Sequence, residues 1–308
     1  MTITADRLLE GVKRRISTPT SQVLMTDADI LAIADDITKT YMVPLLMSLN
    51  QDYFVTSSEV AFVTDQAEYD IPYRAVGRAL RDLKIVDSSD TVRDVSLIPI
   101  EDAHRFTQSS TPHSFYFKGD QVVIVPTPSE TTTSIQFWWE EPPSNLVKVD
   151  AAGLITAIVS PVVTVATLPS TMIAGVDVDF VKGRSGNSTI GMDKDIVSVL
   201  GTDITFASAD IPSRLAVGDY VTLAQTTPVV QLPNECYPLL ESYVGRRVLL
   251  AVGDTDGARA MDEDVRVEDK NLKLMLEPRI QGEPTVIINR NGLLRGRGFF
   301  ARRGGILF

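Results

Sequence analysis

Residues 233–278 read PNECYPLLESYVGRRVLLAVGDTDGARAMDEDVRVEDKNLKLMLEP. Asn234, following Pro233, has the side chain of a helix N-cap. Tyr237, Leu240, Val244, Val248 and Val252 then recur at helical spacing on one face, and Gly253 closes the helix. A further helix begins near Asp256, with Met261, Val265, Leu272 and Leu276 on one face and acids and lysines opposite. Glu277-Pro278 ends it, because proline cannot continue a helix and restricts the residue before it. The residues expected to pack this pair are Leu240, Val244, Val248, Met261 and Val265.

The other end of the chain is helical too. Leu8, Leu9, Val12 and Ile16 give residues 4–16 an amphipathic pattern with Thr4 as cap, and Ser17 to Ser21, with Pro19, breaks it. A second helix starts at Thr26 or Asp27 and runs to about Asn50, with Pro44 expected to kink or end it. Between the two helical ends the period changes. Tyr53–Val63, the pair Ser114–Phe117 and Val122–Val125 around Lys118-Gly119-Asp120, and Ile135–Trp139 read as strands and a hairpin, while Ala75–Val86 is ambiguous between helix and strand.

After Pro142-Pro143, six more short strands are expected, at 154–158, 162–165, 176–181, 196–200, 204–206 and 220–223, spaced as in a compact sandwich or barrel. The expectation is an α+β chain in which N- and C-terminal helices form one bundle, β-sandwich or barrel modules are inserted between them, and an extended C-terminal arm follows. Its parts are residues 1–50 (N-terminal helices), 51–145 (β module), 146–228 (inserted β module), 229–283 (C-terminal helices) and 284–308 (basic arm).

Composition excludes several classes. The 308 residues are 44% apolar, enough for a sizeable core, with a net charge of −11. Cys236 is the single cysteine, so no disulfide scaffold exists, and Cys236, His104 and His113 are too few for a Cys/His zinc site. No run of 18 apolar residues spans a bilayer, and the opening MTITADRLLEGVKRR mixes charges without the apolar stretch of a signal peptide. Synthesis in a reducing cytoplasm fits this pattern.

The charge is unevenly placed. Residues 284–308 hold Arg290, Arg295, Arg297, Arg302 and Arg303 and no acid, so the total of −11 leaves −16 for the rest of the chain. A basic tail on an acidic body suggests docking onto an acidic or phosphorylated partner. Arginines interleaved with Phe299 and Phe300 would suit a nucleic-acid segment, with arginines on phosphates and rings stacked on bases. The apolar ending Ile306-Leu307-Phe308 favours a docking arm instead, whose backbone adds to a partner's sheet edge while Phe299, Phe300, Ile306 and Phe308 fill pockets.

Chemistry-bearing motifs are thin. Gly186–Asp193 (GNSTIGMD) has the Gly-x4-Gly of a phosphate loop, but Met192-Asp193 stand where lysine and Ser/Thr are required, so a turn is expected. Glu140-Glu141 would point to opposite faces of a strand and cannot share one site, and core or interface tryptophans beside a solvated strand end are the simpler reading. Asp177 and Asp179 share a strand face but have no third ligand placed by spacing, so a solvated face is expected. Asp254-x-Asp256 reads as acids opening a helix. His104 and His113 show no nucleophile partner, no G-x-S-x-G occurs, and Cys236 reads as a packing residue. No catalytic, cofactor-binding or metal-ligating residue is nominated, and no enzyme activity is expected.

A resemblance does emerge. Val217-Gly218-Asp219-Tyr220, Thr227-Pro228-Val229-Val230-Gln231-Leu232-Pro233, Pro238-Leu239-Leu240, Val248–Asp254, Pro278–Pro284 and Asn289–Arg295 follow one another in an order that resembles the head-to-tail adaptor (connector) proteins of short-tailed bacteriophages, the tail tubular protein A-like group. Lys118-Gly119-Asp120 with Val125-Pro126-Thr127-Pro128 resembles the same proteins, and the likeness covers most of the chain from about residue 50, thinly in the second β block. It implies a virion protein that forms a homo-oligomeric ring, commonly of twelve subunits, between the portal protein and the tail nozzle protein. Tail fibre or tailspike contact is a further implied partnership. DNA would cross the ring without sequence-specific binding, no membrane or cofactor would be involved, and the arm (Arg290, Arg295, Arg297, Phe299, Phe300, Arg302, Arg303, Phe308) would reach the portal. The alternative is a nucleic-acid-binding module acting through the Arg/Gly-rich tail. A glycan-cleaving virion enzyme would rest on Glu140-Glu141 alone and is set aside.

Overall fold

A computed structural model describes residues 3–16, 25–50, 52–87, 89, 91–106, 112–129, 133–183 and 188–276. The chain is mixed α+β, with several antiparallel sheets between helical ends. Helix α1 (Ala5–Arg15) is capped by Thr4, as its sequence implies, with Lys13, Arg14 and Arg15 in its last turn, where the helix dipole favours cations. Helix α2 (Asp27–Ile37) opens with a reciprocal capping box between Thr26 and Asp29. A π-turn over Thr38–Met42 follows, then α3 (Val43–Leu49) with Pro44 in its first turn. Proline lacks an N–H and its ring crowds the preceding turn. The break therefore falls just before Pro44, and the Val43 N–H bonds back to the Thr38 carbonyl.

At the other end a 3₁₀ turn over Asn234–Cys236 leads into α4 (Tyr237–Val252), so Asn234 is not the expected side-chain cap. Gly253 closes α4 at φ 92°, a left-handed conformation that glycine adopts without penalty. Helix α5 (Thr255–Met275) is capped by Asp254, whose carboxylate accepts the Gly257 N–H at 2.8 Å. Leu8, Leu9 and Val12 of α1, Ile30 and Ala34 of α2, Leu240, Val244 and Val248 of α4, and Val265 and Leu272 of α5 share one apolar core. A backbone bridge from Thr4 to Val229 ties the entry of α1 to the segment before α4.

The first β module has strands β1 (Val55–Ala61), β2 (Glu68–Asp70), β3 (Leu80–Val86), β4 (Val92–Asp94), β5 (Ser96–Leu97), β6 (Ser114–Lys118), β7 (Gln121–Val125) and β8 (Ser134–Glu140). They form two four-stranded sheets, ordered β1-β8-β3-β4 and β2-β7-β6-β5. The β6–β7 hairpin turns at Gly119-Asp120, with Lys118 paired to Gln121 and Gly119 at φ 65°. The ambiguous stretch 75–86 resolves as a 3₁₀ turn followed by β3. Along β8 burial alternates strictly, and Ile135, Phe137 and Trp139 face Leu83, Tyr69 and Ile124 in a core common to both sheets.

The second block is β9 (Asn145–Leu146), β10 (Gly153–Val159), β11 (Val162–Val165), β12 (Asp177–Val181), β13 (Thr189–Asp195), β14 (Ser198–Leu200), β15 (Asp203–Thr205), β16 (Tyr220–Leu223) and β17 (Thr226–Thr227). Seven of them form one sheet ordered β13-β12-β16-β10-β11-β15-β14, while β17 and β9 pair in parallel. Strand β10 serves both halves of the large sheet: Gly153 and Leu154 pair with β16, and from Ile155 onward, with a register shift between Ile155 and Ala157, the strand pairs with β11. Val163, Phe180, Ile204, Phe206 and Val221 fill the core it wraps. The end strands β13 and β14 do not pair, so no closed barrel exists among the described residues.

From Thr189 onward strand β13 stands where a turn was expected in GNSTIGMD, while Gly186 and Asn187 lie outside the described residues. The strand pairs with β12, and its mid-strand glycine has a packing cause. A Cβ on Gly191 would lie 2.7 Å from the Pro212 ring and 3.2 Å from Phe180.

Candidate functional site

Leu240, Val244, Val248, Met261 and Val265 are all buried. Met261 packs against the glycine face of α4, where a Cβ on Gly245 would lie 2.9 Å from its terminal methyl. The same helices hold a polar centre. Arg15 Nε bonds Glu241 Oε2 at 3.0 Å, and its Nη1 reaches Glu268 Oε1 at 3.0 Å and the Ser242 hydroxyl. Burial opposes the charge on Arg15, but the Glu268 and Glu241 carboxylates outweigh it and hold the guanidinium charged. Gly11 makes room for this: a Cβ there would sit 1.5 Å from Glu241 Oε1. The arm residues Arg290, Arg295, Arg297, Phe299, Phe300, Arg302, Arg303 and Phe308, and the expected strand Val286–Ile288, lie outside the described residues.

The densest polar arrangement joins the two β modules. Arg74, in the turn after β2, makes a bidentate fork with Asp179 at the centre of β12 (Nη1–Oδ2 2.7 Å, Nη2–Oδ1 2.8 Å). Its Nη2 also bonds Asp193 of β13. Tyr73 donates its hydroxyl to Asp193 at 2.6 Å and accepts Arg74 Nε at 3.1 Å. The Asp179 carboxylate further accepts the backbone N–H groups of Asp193 (2.9 Å) and Gln225 (2.8 Å). Asp179 is 0% exposed. The solvated face expected for Asp177 and Asp179 therefore holds only for Asp177, because β12 is covered on both sides from Val178 onward. Burial alone opposes the charge on Arg74; the hydrogen bonds to Asp179 outweigh it and raise its pKa.

Glu141, one residue beyond β8, completes this junction and corrects the expectation of a solvated strand end. Its side chain is 14% exposed, and Oε1 lies 3.8 Å from Arg74 Nη1 without a hydrogen-bond partner. Burial pushes its pKa up to about 7, with Asp179 and Asp193 adding to the rise and Arg74 opposing it. Glu140 points the other way, toward Arg81, so the pair is split as strand geometry requires. Glu141 is a wall shared by two clefts. One, of about 290 Å³, is also lined by Tyr53, Pro143, Thr189 and Gln231; the other, of about 420 Å³, by Lys39, Tyr73, Arg74 and Asn145.

The remaining candidates are scattered. Cys236 is buried, and its thiol is pushed up to about 12 by desolvation, the state of a packing residue rather than a nucleophile. His104 sits on the short helical turn Ile100–Phe106. His113 does have a hydroxyl neighbour, the next residue in the chain, since its Nδ1 lies 2.8 Å from Ser114 Oγ. Ser114 is 3% exposed, so that hydroxyl is not presented to a substrate. Asp254 is spent on its helix cap. Among the described residues no three His, Cys, Asp or Glu side chains are grouped to hold a metal, and no helix is long and apolar enough to cross a membrane. Chemically, the Arg74 junction is a lock: one guanidinium bonded to the Asp179 and Asp193 carboxylates, with the raised Glu141 carboxyl beside it. No family model matches the chain, and no curated protein matches it in sequence.

Proposed function

We propose that the chain is a head-to-tail adaptor of a short-tailed bacteriophage, a structural virion protein that forms a ring between portal and tail nozzle. One observation carries the reading beyond the residue resemblance. Helices from both ends of the chain share one apolar core, and both β modules are excursions between them. A ring-forming adaptor needs that division: a helical bundle for the channel wall and β platforms for neighbours.

In this reading the ring holds about twelve copies, and the second β module faces the nozzle, with tail fibre or tailspike contact as a further role. The arm anchors the subunit to the portal. The acid excess outside the arm, −16, suits a channel that DNA crosses without sticking, because a negative wall repels phosphates. The protein is then made in the host cytoplasm and resides in the neck of the virion.

Mass photometry of the purified chain, alone and mixed with portal protein, tests this. Rings that need portal, and that vanish when residues 284–308 are deleted, support the adaptor; portal binding that survives the deletion overturns the role given to the arm. The arginines favour one alternative, a nucleic-acid module. It requires DNA binding that depends on the tail and falls steeply with salt, by about one power of the salt concentration per phosphate contact.

A further inference from the structure

We infer that Glu141 is a proton-operated latch between the two β modules, closed while its carboxyl carries a proton and loosened when the proton leaves. The inference does not depend on the adaptor reading. The Arg74–Asp179 fork is the polar joint between the modules, and it is complete without Glu141: all the bonding directions of the Asp179 carboxylate are filled. Glu141 adds a further carboxyl to a site that already holds Asp179 and Asp193 against a single guanidinium.

The groups facing it can be enumerated. Arg74 and Tyr73 come from the turn after β2, Asp179 from β12, and Asp193 and the Thr189 hydroxyl from β13. Tyr53 and Lys39 line the flanking clefts. With Glu141 ionised the site carries three negative charges and one positive, and Oε1 has no donor. With Glu141 protonated one negative charge is removed, and the fork is left with two acids. Glu141 lines both clefts and its side chain is 14% exposed, which gives its proton a path to solvent.

Burial raises the carboxyl from 4.5 to about 7 in the closed state, whereas opening the junction returns it to water. The latch is therefore tightest below pH 4.5 and weakens as pH rises toward 7, then changes no further. The opening constant rises by at most about 300-fold across that window, the ratio of the two acid constants.

Hydrogen-exchange mass spectrometry of the full chain between pH 4.5 and 8.5, corrected for intrinsic exchange, reads this directly. Peptides covering β12, β13 and residues 72–78 lose protection as pH rises to about 7 and level off, while the β14–β15 hairpin does not follow. Glu141→Gln holds them at the protected, low-pH level throughout. Protection that is flat with pH in the unaltered protein, or a pH dependence that persists in Glu141→Gln, overturns the latch. If Glu141→Gln does not fold, a carbon-13 titration of the glutamate carboxyls in the unaltered protein decides instead. A Glu141 midpoint near 7 is expected, and a midpoint near 4.5 refutes the inference.

Discussion

Replacing Arg74 by methionine tests the central claim about how the two β modules are joined. The side chain is nearly isosteric along its stem, so the change removes the guanidinium and little packing. Asp179 is 0% exposed and accepts four hydrogen bonds, two from Arg74 at 2.7 and 2.8 Å and two from the backbone N–H groups of Asp193 and Gln225. The substitution leaves a buried carboxylate with half of its donors and no counter-charge. Breaking a buried pair from one side costs about 3–5 kcal/mol, mostly as the penalty on the stranded charge. In a domain of typical stability, about 5–15 kcal/mol, that is a large fraction of the whole. Urea denaturation followed by the fluorescence of Trp138 and Trp139 measures it. Asp179→Asn costs a similar amount, and the double variant Arg74→Met/Asp179→Asn costs clearly less than the two singles together, with a coupling above about 1 kcal/mol. A loss below about 1 kcal/mol for Arg74→Met, or strict additivity in the cycle, refutes the reasoning, because the fork would then be a contact that water replaces at no cost.

Other outcomes follow from the same structure. Gly11→Ala drives a methyl into Glu241 Oε1, displaces it from Arg15, and lowers stability by about 1–3 kcal/mol, despite the better helix propensity of alanine; calorimetry reads the loss. Leu240→Ala empties a fully buried position in the helical core and costs about 2–5 kcal/mol in the same assay. The Cys236 thiol, pushed up to about 12, stays unreactive toward a maleimide at pH 8 and is labelled only as the chain unfolds; rapid labelling of folded protein contradicts its burial. Asp35 accepts the Leu146 N–H at 2.9 Å, and burial raises its carboxyl to about 6. Its folded-state value exceeds the ordinary one of 3.8, so its contribution is full below that and is lost as pH rises through 6. Asp35→Asn should therefore stabilise the protein at pH 8 relative to pH 4, by about 1 kcal/mol after solvent screening, as pH-dependent denaturation reports.

What could be read from the chain alone was whatever depends on near neighbours. The cap at Thr4, the helix start at Thr26 or Asp27, the stop at Gly253 and the hairpin at Gly119-Asp120 are local physics, and each is found in place. Strand β13 was missed because its glycine is explained by Pro212 and Phe180, residues far along the chain, and not by a turn. The role of Asp179 was hidden for a related reason. Its partner Arg74 is 105 positions away, and alternation fails once both faces of β12 are covered. Glu141 was legible as the residue opposite in direction to Glu140, but not as buried, since burial of that face is supplied by the other module.

The pairing of the two chain ends also constrains how the protein is made. Arg15 and Glu241 are 226 positions apart, and the apolar faces of α1 and α2 find α4 only after both β modules have left the ribosome. At roughly 5–20 residues per second that is a wait of about 10–45 s. During this time Leu8, Leu9, Val12 and Ile30 have no permanent cover, while the β modules, whose cores are made of their own residues, can finish folding. Synthesis of this chain is thus ordered from the middle outward, and its vulnerable period belongs to its first helices.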